Sequence, residues 1–111
     1  MLPRSERIST KLFKEVIQKG AIHHSDFLIL RSQKTLNLSR FGISVPKKVA
    51  KTAVLRNKIK RRLYLIIKSL KPRISIPTNT IIIVKSGLEK ANLKQTHEEV
   101  VKIFVKSGIL K

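Results

Sequence analysis

Cysteine and tryptophan are absent from this 111-residue chain, and only six residues are acidic. Without Cys there is no disulfide, no thiolate metal site and no Cys nucleophile, a composition that fits a reducing compartment. Aromatics are few, namely Phe13, Phe27, Phe41, Tyr64 and Phe104, so Ile, Leu and Val must fill the core. No apolar run approaches the ~18 residues of a membrane span. The longest, such as Ile81-Ile82-Ile83-Val84, are strand-sized. Met1 to Thr10 lack the apolar h-region of a secretory signal, so the expectation is a cytoplasmic chain with no membrane partner. The histidines are His23, His24 and His97. The adjacent pair would point to opposite faces of a strand, which is poor spacing for a metal site. The acids show no nuclease-like carboxylate cluster either. The expectation is therefore no catalytic residue and no metal held by the protein alone.

Against these absences stands an excess of positive charge. Lys and Arg number 25, giving a formal net charge of +19. The acids are Glu6, Glu15, Asp26, Glu89, Glu98 and Glu99, so no acid interrupts the stretch between Asp26 and Glu89. Such a field repels itself unless a polyanion neutralises it. Nucleic acid is the leading partner, because each phosphate contact releases counterions. A surface built for solubility would mix both signs. An anionic membrane is the weaker choice, since no basic segment keeps a broad apolar face for lipid.

At 41% apolar residues the chain can form one packed domain, residues 1–111. Ser9 caps a helix over Thr10 to Lys19, with Gly20 as its C′ residue. Residues 26–31 read as a strand, and a further short strand fits near Ala21 to His23. A polar loop runs from Ser32 to Arg40. Phe41 to Val45 alternates as a strand, with Phe41, Ile43 and Val45 toward the core and Gly42 and Ser44 forming a small, polar face suited to a groove. A long helix spans Thr52 to Leu70. Its buried stripe is Leu55, Ile59, Leu63, Ile66 and Leu70, while Asn57, Arg61, Tyr64 and Lys68 line its opposite side. Thr80 to Lys85 is apolar on both faces, as a covered central strand is. Asn92 to Lys106 reads as the last helix. The order α-β-β-α-β-α specifies an α/β (α+β) sandwich with helices packed on one sheet.

The densest constellation is Ala53 to Leu63, AVLRNKIKRRL. From one rigid helix, Arg56, Arg61 and Arg62 can offer guanidinium forks to phosphates. Asn57 adds a donor and an acceptor for ribose or a base edge. Lys58, Lys60 and Lys68 extend the cationic surface.

Arg56-Asn57-Lys58-Ile59-Lys60-Arg61 resembles the R-N-x-x-K-R signature of the bacterial ribonuclease P protein family. The resemblance continues in order along the chain: Met1-Leu2-Pro3 with Arg7-Ile8, then Phe13-Lys14-Glu15-Val16 to Gly20. Phe41-Gly42-Ile43-Ser44-Val45-Pro46-Lys47-Lys48-Val49 and Ile81 to Lys85 complete it. It implies a four-stranded sheet with three helices and a split β-α-β unit whose crossover is left-handed. It implies a protein subunit of an RNA-based endoribonuclease that removes the 5′ leader of precursor tRNA. The chemistry would lie in the RNA, with Mg²⁺ there, and no obligate protein partner is implied. Carried over by position, the surface for the catalytic RNA is Lys47, Lys48, Arg56, Asn57, Lys58, Lys60 and Arg61, to which our reading of the helix adds Arg62 and Lys68. The leader cleft is Phe13, Ile17, Leu30, Ser44, Lys48 and Lys85. Ile17 and Leu30 stand where the family often has aromatics, and Tyr64 where a basic residue is common. The alternative of similar size and charge is a ribosomal or ribosome-associated protein. A DNA-reading helix fits less well, because a uniformly cationic face suits backbone contact.

Overall fold

The computed structural model describes residues 4–36, 38–74 and 76–110. The Met1-Leu2-Pro3 opening lies outside them. A 3₁₀ turn at Arg4–Glu6 leads into α1 (Thr10–Lys19), β1 (Ala21–His24), β2 (Leu28–Lys34) and β3 (Arg40–Ser44). Then come α2 (Ala53–Leu70), β4 (Thr78–Val84) and α3 (Leu93–Lys106). The sheet order is β1-β2-β4-β3. β2 pairs antiparallel with both β1 and β4, while β3 and β4 are parallel and joined through α2. Three helices on a four-stranded mixed sheet make the α+β class that the sequence specifies.

The caps lie where the residue types put them. The Ser9 and Thr52 side chains accept from Leu12 N and Leu55 N, and Asn92 with Gln95 closes a capping box. Gly20 differs from its expectation. Its φ of −73° is ordinary, and what excludes a side chain is crowding. A Cβ there would lie 2.5 Å from the Val16 carbonyl oxygen and 2.9 Å from that of Ser32. The glycine lets the end of α1 approach β2 closely enough to turn straight into β1.

β2 starts later and runs further than residues 26–31. Residues 25–27 are instead drawn out of the strand by the buried Glu99 of α3. Its carboxylate accepts from Ser25 Oγ (2.8 Å) and Phe27 N (2.7 Å). β4 is the central strand, and Ile81 and Ile82, on its two faces, are both fully buried.

The main core lies between the sheet and the α2–α3 layer. Leu28, Leu30, Phe41, Ile43, Ile82 and Val84 come from the sheet, and Ile59, Leu63, Ile67, Ile103 and Phe104 from the helices. α2 is rotated relative to the expected stripe. Leu55 is exposed, while Tyr64 and Ile67 are buried. Tyr64 therefore does not stand on the outer face with Asn57 and Arg61. Its ring fills core space and its phenol lies by the backbone of Ile43. A tyrosine can do this because one end of its side chain is apolar and the other needs a single partner.

Burial pushes the Tyr64 phenol above its ordinary value of 10.0, while the Arg7 charge and the Ile43 backbone oppose the shift. A raised folded pKa favours the neutral phenol. The stability it carries is complete below pH 10 and is lost as pH rises through the folded pKa. Tyr64 is the chain's one tyrosine, so phenolate absorbance follows it alone. The native protein should titrate above 10 and the denatured chain at about 10. A native midpoint at or below 10 contradicts this burial.

Candidate nucleic-acid interface

α2 turns one face to the core and presents cations on the other. Asn57, Lys58, Arg61 and Lys68 are exposed, and Arg56, Lys60 and Arg62 half-buried. The preceding turn carries Lys47 and Lys48 outward and is held from beneath. Val49 N and Ala50 N donate to the Pro46 carbonyl (2.9 and 3.3 Å), and both side chains are buried. Arg56 ties turn and helix together, donating from one guanidinium nitrogen to the carbonyls of Ala50 (3.0 Å) and Lys51 (3.1 Å). Part of its fork is thus structural. Arg62 is turned sideways, donating to the Ala91 carbonyl (3.2 Å) before α3. Arg61 and Lys58 keep their charged ends clear of such ties, apart from a long bond from Arg61 Nε to Asn57 O (3.4 Å).

No acid lies in the first turn of α2. The positive end of the helix dipole therefore adds to the cations of the 47–51 segment. Several acids are occupied elsewhere. Glu6 pairs with Lys71, Asp26 with Lys102 (4.0 Å), and Glu89 accepts from Gly87 N (2.8 Å). With Glu99 held by residues 25–27, little negative charge remains to quench the α2 surface.

The second region is the opposite face of the sheet, under α1. Strand register arranges its side chains in three rows: Ile29–Ile83–Ser44, then Arg31–Ile81–Gly42, then Gln33–Asn79–Arg40. α1 lies over the middle row. Val16 and Ile81 are fully buried there, and Arg31 donates to the Ile17 carbonyl. The Ile8 Cβ lies 3.5 Å from where a Gly42 Cβ would be. Gly42 is therefore roofed by Ile8 and does not form the open groove floor expected of it. Ser44 is half-buried in the neighbouring row.

Of the expected cleft residues, Phe13 and Ile17 are half-buried on α1. Ser44 ends β3. Lys85 follows β4 at the same end of the sheet, its Nζ donating to the Ser25 carbonyl (2.9 Å). Lys48 is exposed on the turn after β3, also at that end. Leu30 does not belong with them. It is fully buried in the main core, paired with His23 and Ile82, on the sheet face away from α1. Side chains alternate along a strand, so the β2 residues that face α1 are Ile29 and Arg31. Ile29, Arg31 and Ile83 were not singled out from sequence. The signal that finds them is cross-strand register, which a single run of apolar residues does not reveal.

Among the described residues no three His, Asp or Glu side chains are grouped as a metal site, and no helix is long and apolar enough to cross a membrane.

A family model described as Ribonuclease P matches residues 2–108. The chain is 34% identical over 115 residues to the ribonuclease P protein component of Microcystis aeruginosa, covering 98% of this chain and 96% of that one. To the same component from Dictyoglomus turgidum it is 34% identical over 113 residues, covering 98% and 94%. Among solved structures, the RNase P protein of Staphylococcus aureus superposes with a TM-score of 0.87 at 25% identity, over 96% of this chain and 98% of the other. The Thermotoga maritima RNase P protein gives 0.82 at 21% identity over 91% and 96%, a likeness of fold.

The Arg56 tie makes a local prediction. Arg56→Lys removes the planar guanidinium whose one terminal nitrogen reaches both carbonyls, so the Val49 and Ala50 amides should exchange hydrogen faster while global stability changes little. Unchanged protection at those amides contradicts the tie.

Proposed function

The chain belongs to the ribonuclease P protein family, and from that membership we propose how its two surfaces divide the work. As a ribonuclease P protein component it is an RNA-binding subunit of an endoribonuclease complex in tRNA 5′ maturation, with the ribonuclease P RNA as its partner. In our reading the protein positions and the RNA cuts, with Mg²⁺ held by RNA and substrate phosphates. The outer face of α2 and the turn before it grip the catalytic RNA through Lys47, Lys48, Arg56, Asn57, Lys58, Lys60, Arg61, Arg62 and Lys68. The cleft between α1 and the sheet takes the single-stranded leader of precursor tRNA. Phe13 and Ile17 form one wall, Ile29, Ile83 and Ser44 the floor, and Lys48 and Lys85 supply charge at the open end.

The observation that carries this reading is the contrast between the two surfaces. α2 offers fixed cations on a rigid helix and no acid, which suits a folded RNA's phosphates in sequence-independent contact. The cleft brings together the apolar side chains of Phe13, Ile17, Ile29 and Ile83, with Lys48 and Lys85 at one end. Bases of a single strand can lie on such a surface while the backbone stays with the lysines. Phe13 is the one aromatic side chain there, so stacking is limited to one base and Ile17, Ile29 and Ile83 supply apolar contact.

The division is testable in the reconstituted holoenzyme. Phe13→Ala should weaken binding of precursor tRNA by roughly 5- to 100-fold, the loss of one stacked base, and leave affinity for the catalytic RNA unchanged. Arg61→Ala should weaken catalytic-RNA binding and lower its salt slope by about one. If both variants weaken the same step, or if Arg61→Ala leaves the salt slope unaltered, the division is wrong.

A further inference from the structure

By crossing the sheet over its middle row, α1 leaves an opening on each side, and the leader cleft uses only one of them. The other lies where β2 ends and β3 begins. Its floor is the row Gln33–Asn79–Arg40, in which Asn79 is directly opposite Gln33 on β2 and Arg40 on β3. Lys34 and, from α1, Leu12 and Glu15 stand around it. The cavity is about 300 Å³, the lower end of what a small-ligand cleft holds.

Asn79 distinguishes this opening from a mere surface dent. The residue is 8% exposed and belongs to the central strand. It lines the cavity, so its side-chain amide is open to a ligand there, at a central-strand position that a Val or Ile would fill with no polar group to satisfy. Gln33 places a second amide beside it, and Arg40 and Lys34 add charge.

We infer that this groove binds single-stranded RNA as a continuation of the leader's path. An amide carries a donor and an acceptor side by side, as a base edge does. Arg40 and Lys34 suit the flanking phosphates. Glu15, the single acid of the lining, keeps phosphates off the α1 wall and leaves them the sheet side. The leader is the favoured occupant because Lys11 and Lys14 are exposed on the outer face of α1, between the two openings. A helix about 10 Å across is a gap that a flexible strand can bridge along those two cations. The inference rests on the placement of the leader in the first cleft.

The experiment measures holoenzyme affinity for mature tRNA and for precursor tRNAs with two leaders, one ending inside the first cleft and one extending past α1. Wild type is compared with Asn79→Leu and, because a central-strand change can disturb folding, with the double variant Lys34→Gln/Arg40→Gln. Both variants should bind the short-leader substrate as wild type does. Both should lose roughly tenfold on the long leader, the scale of one good base-edge pair. The double variant should also show a shallower salt dependence on the long leader only. Wild-type affinity of the double variant for the long leader overturns the inference. So does an equal loss on both leaders accompanied by weaker binding to the catalytic RNA, which would place that RNA in the groove. A wild-type holoenzyme that gains affinity from the short leader but nothing further from the long one sinks this inference alone. Indifference to any leader sinks the first cleft as well.

Discussion

Like-charge repulsion among 25 cations facing six acids has to be met by burial, because the chain cannot neutralise itself. The core answers with close-packed Ile, Leu, Val and Phe between the sheet and α2–α3. The few acids are used where backbone needs fixing. Glu99 shapes the entry to β2, Glu89 holds the Gly87 amide, and Glu6 ties Lys71 at the end of α2. An acid on the outer face of α2 would ease the repulsion and also compete with phosphate. Its absence leaves stability and RNA binding coupled through the same charges, so a bound polyanion should stabilise the fold by mass action as well as by screening.

The helix caps and the stretch from Arg56 to Arg61 were legible in the sequence because local residue types decide them. Ser9, Thr52 and Asn92 each cap the helix that follows. What the sequence could not disclose was set by distant contacts. Tyr64 looked like a surface residue among cations, yet its ring completes the core and its phenol meets Ile43, a residue of another element. Leu30 came to the cleft by its position in the family pattern, and only its cross-strand pairing with Ile82 puts its side chain on the main-core face. The start of β2 was placed two residues early because Glu99 holds residues 25–27 from more than seventy positions away. Gly42 read as open floor, but Ile8 crosses above it.

The sheet face under α1 shows how one placement can create two environments. Register alone orders the rows from apolar, through the packed middle, to amide and guanidinium. α1 covers the middle row, and Arg31 bonding to the Ile17 carbonyl holds it there. The same helix therefore walls both openings. A change in its tilt would widen one at the expense of the other. The cleft and the α2 face, by contrast, share only the turn at residues 46–49, where Lys47 and Lys48 lie close to both β3 and the start of α2. On the proposed division of the two surfaces, that turn is where binding of the catalytic RNA and of the leader would influence each other, and Arg56 fixes its position relative to the helix.

The claim beneath all of this is that the protein contributes position and charge while the RNA contributes chemistry. Single-turnover cleavage of a precursor tRNA at low Mg²⁺ addresses it most directly, with the cognate ribonuclease P RNA alone, this protein alone, and the two together. The account predicts no cleavage by the protein, slow cleavage by the RNA and fast cleavage at the mature 5′ end by the pair. Cleavage by the protein alone, or no gain from adding folded protein to the RNA, would contradict it.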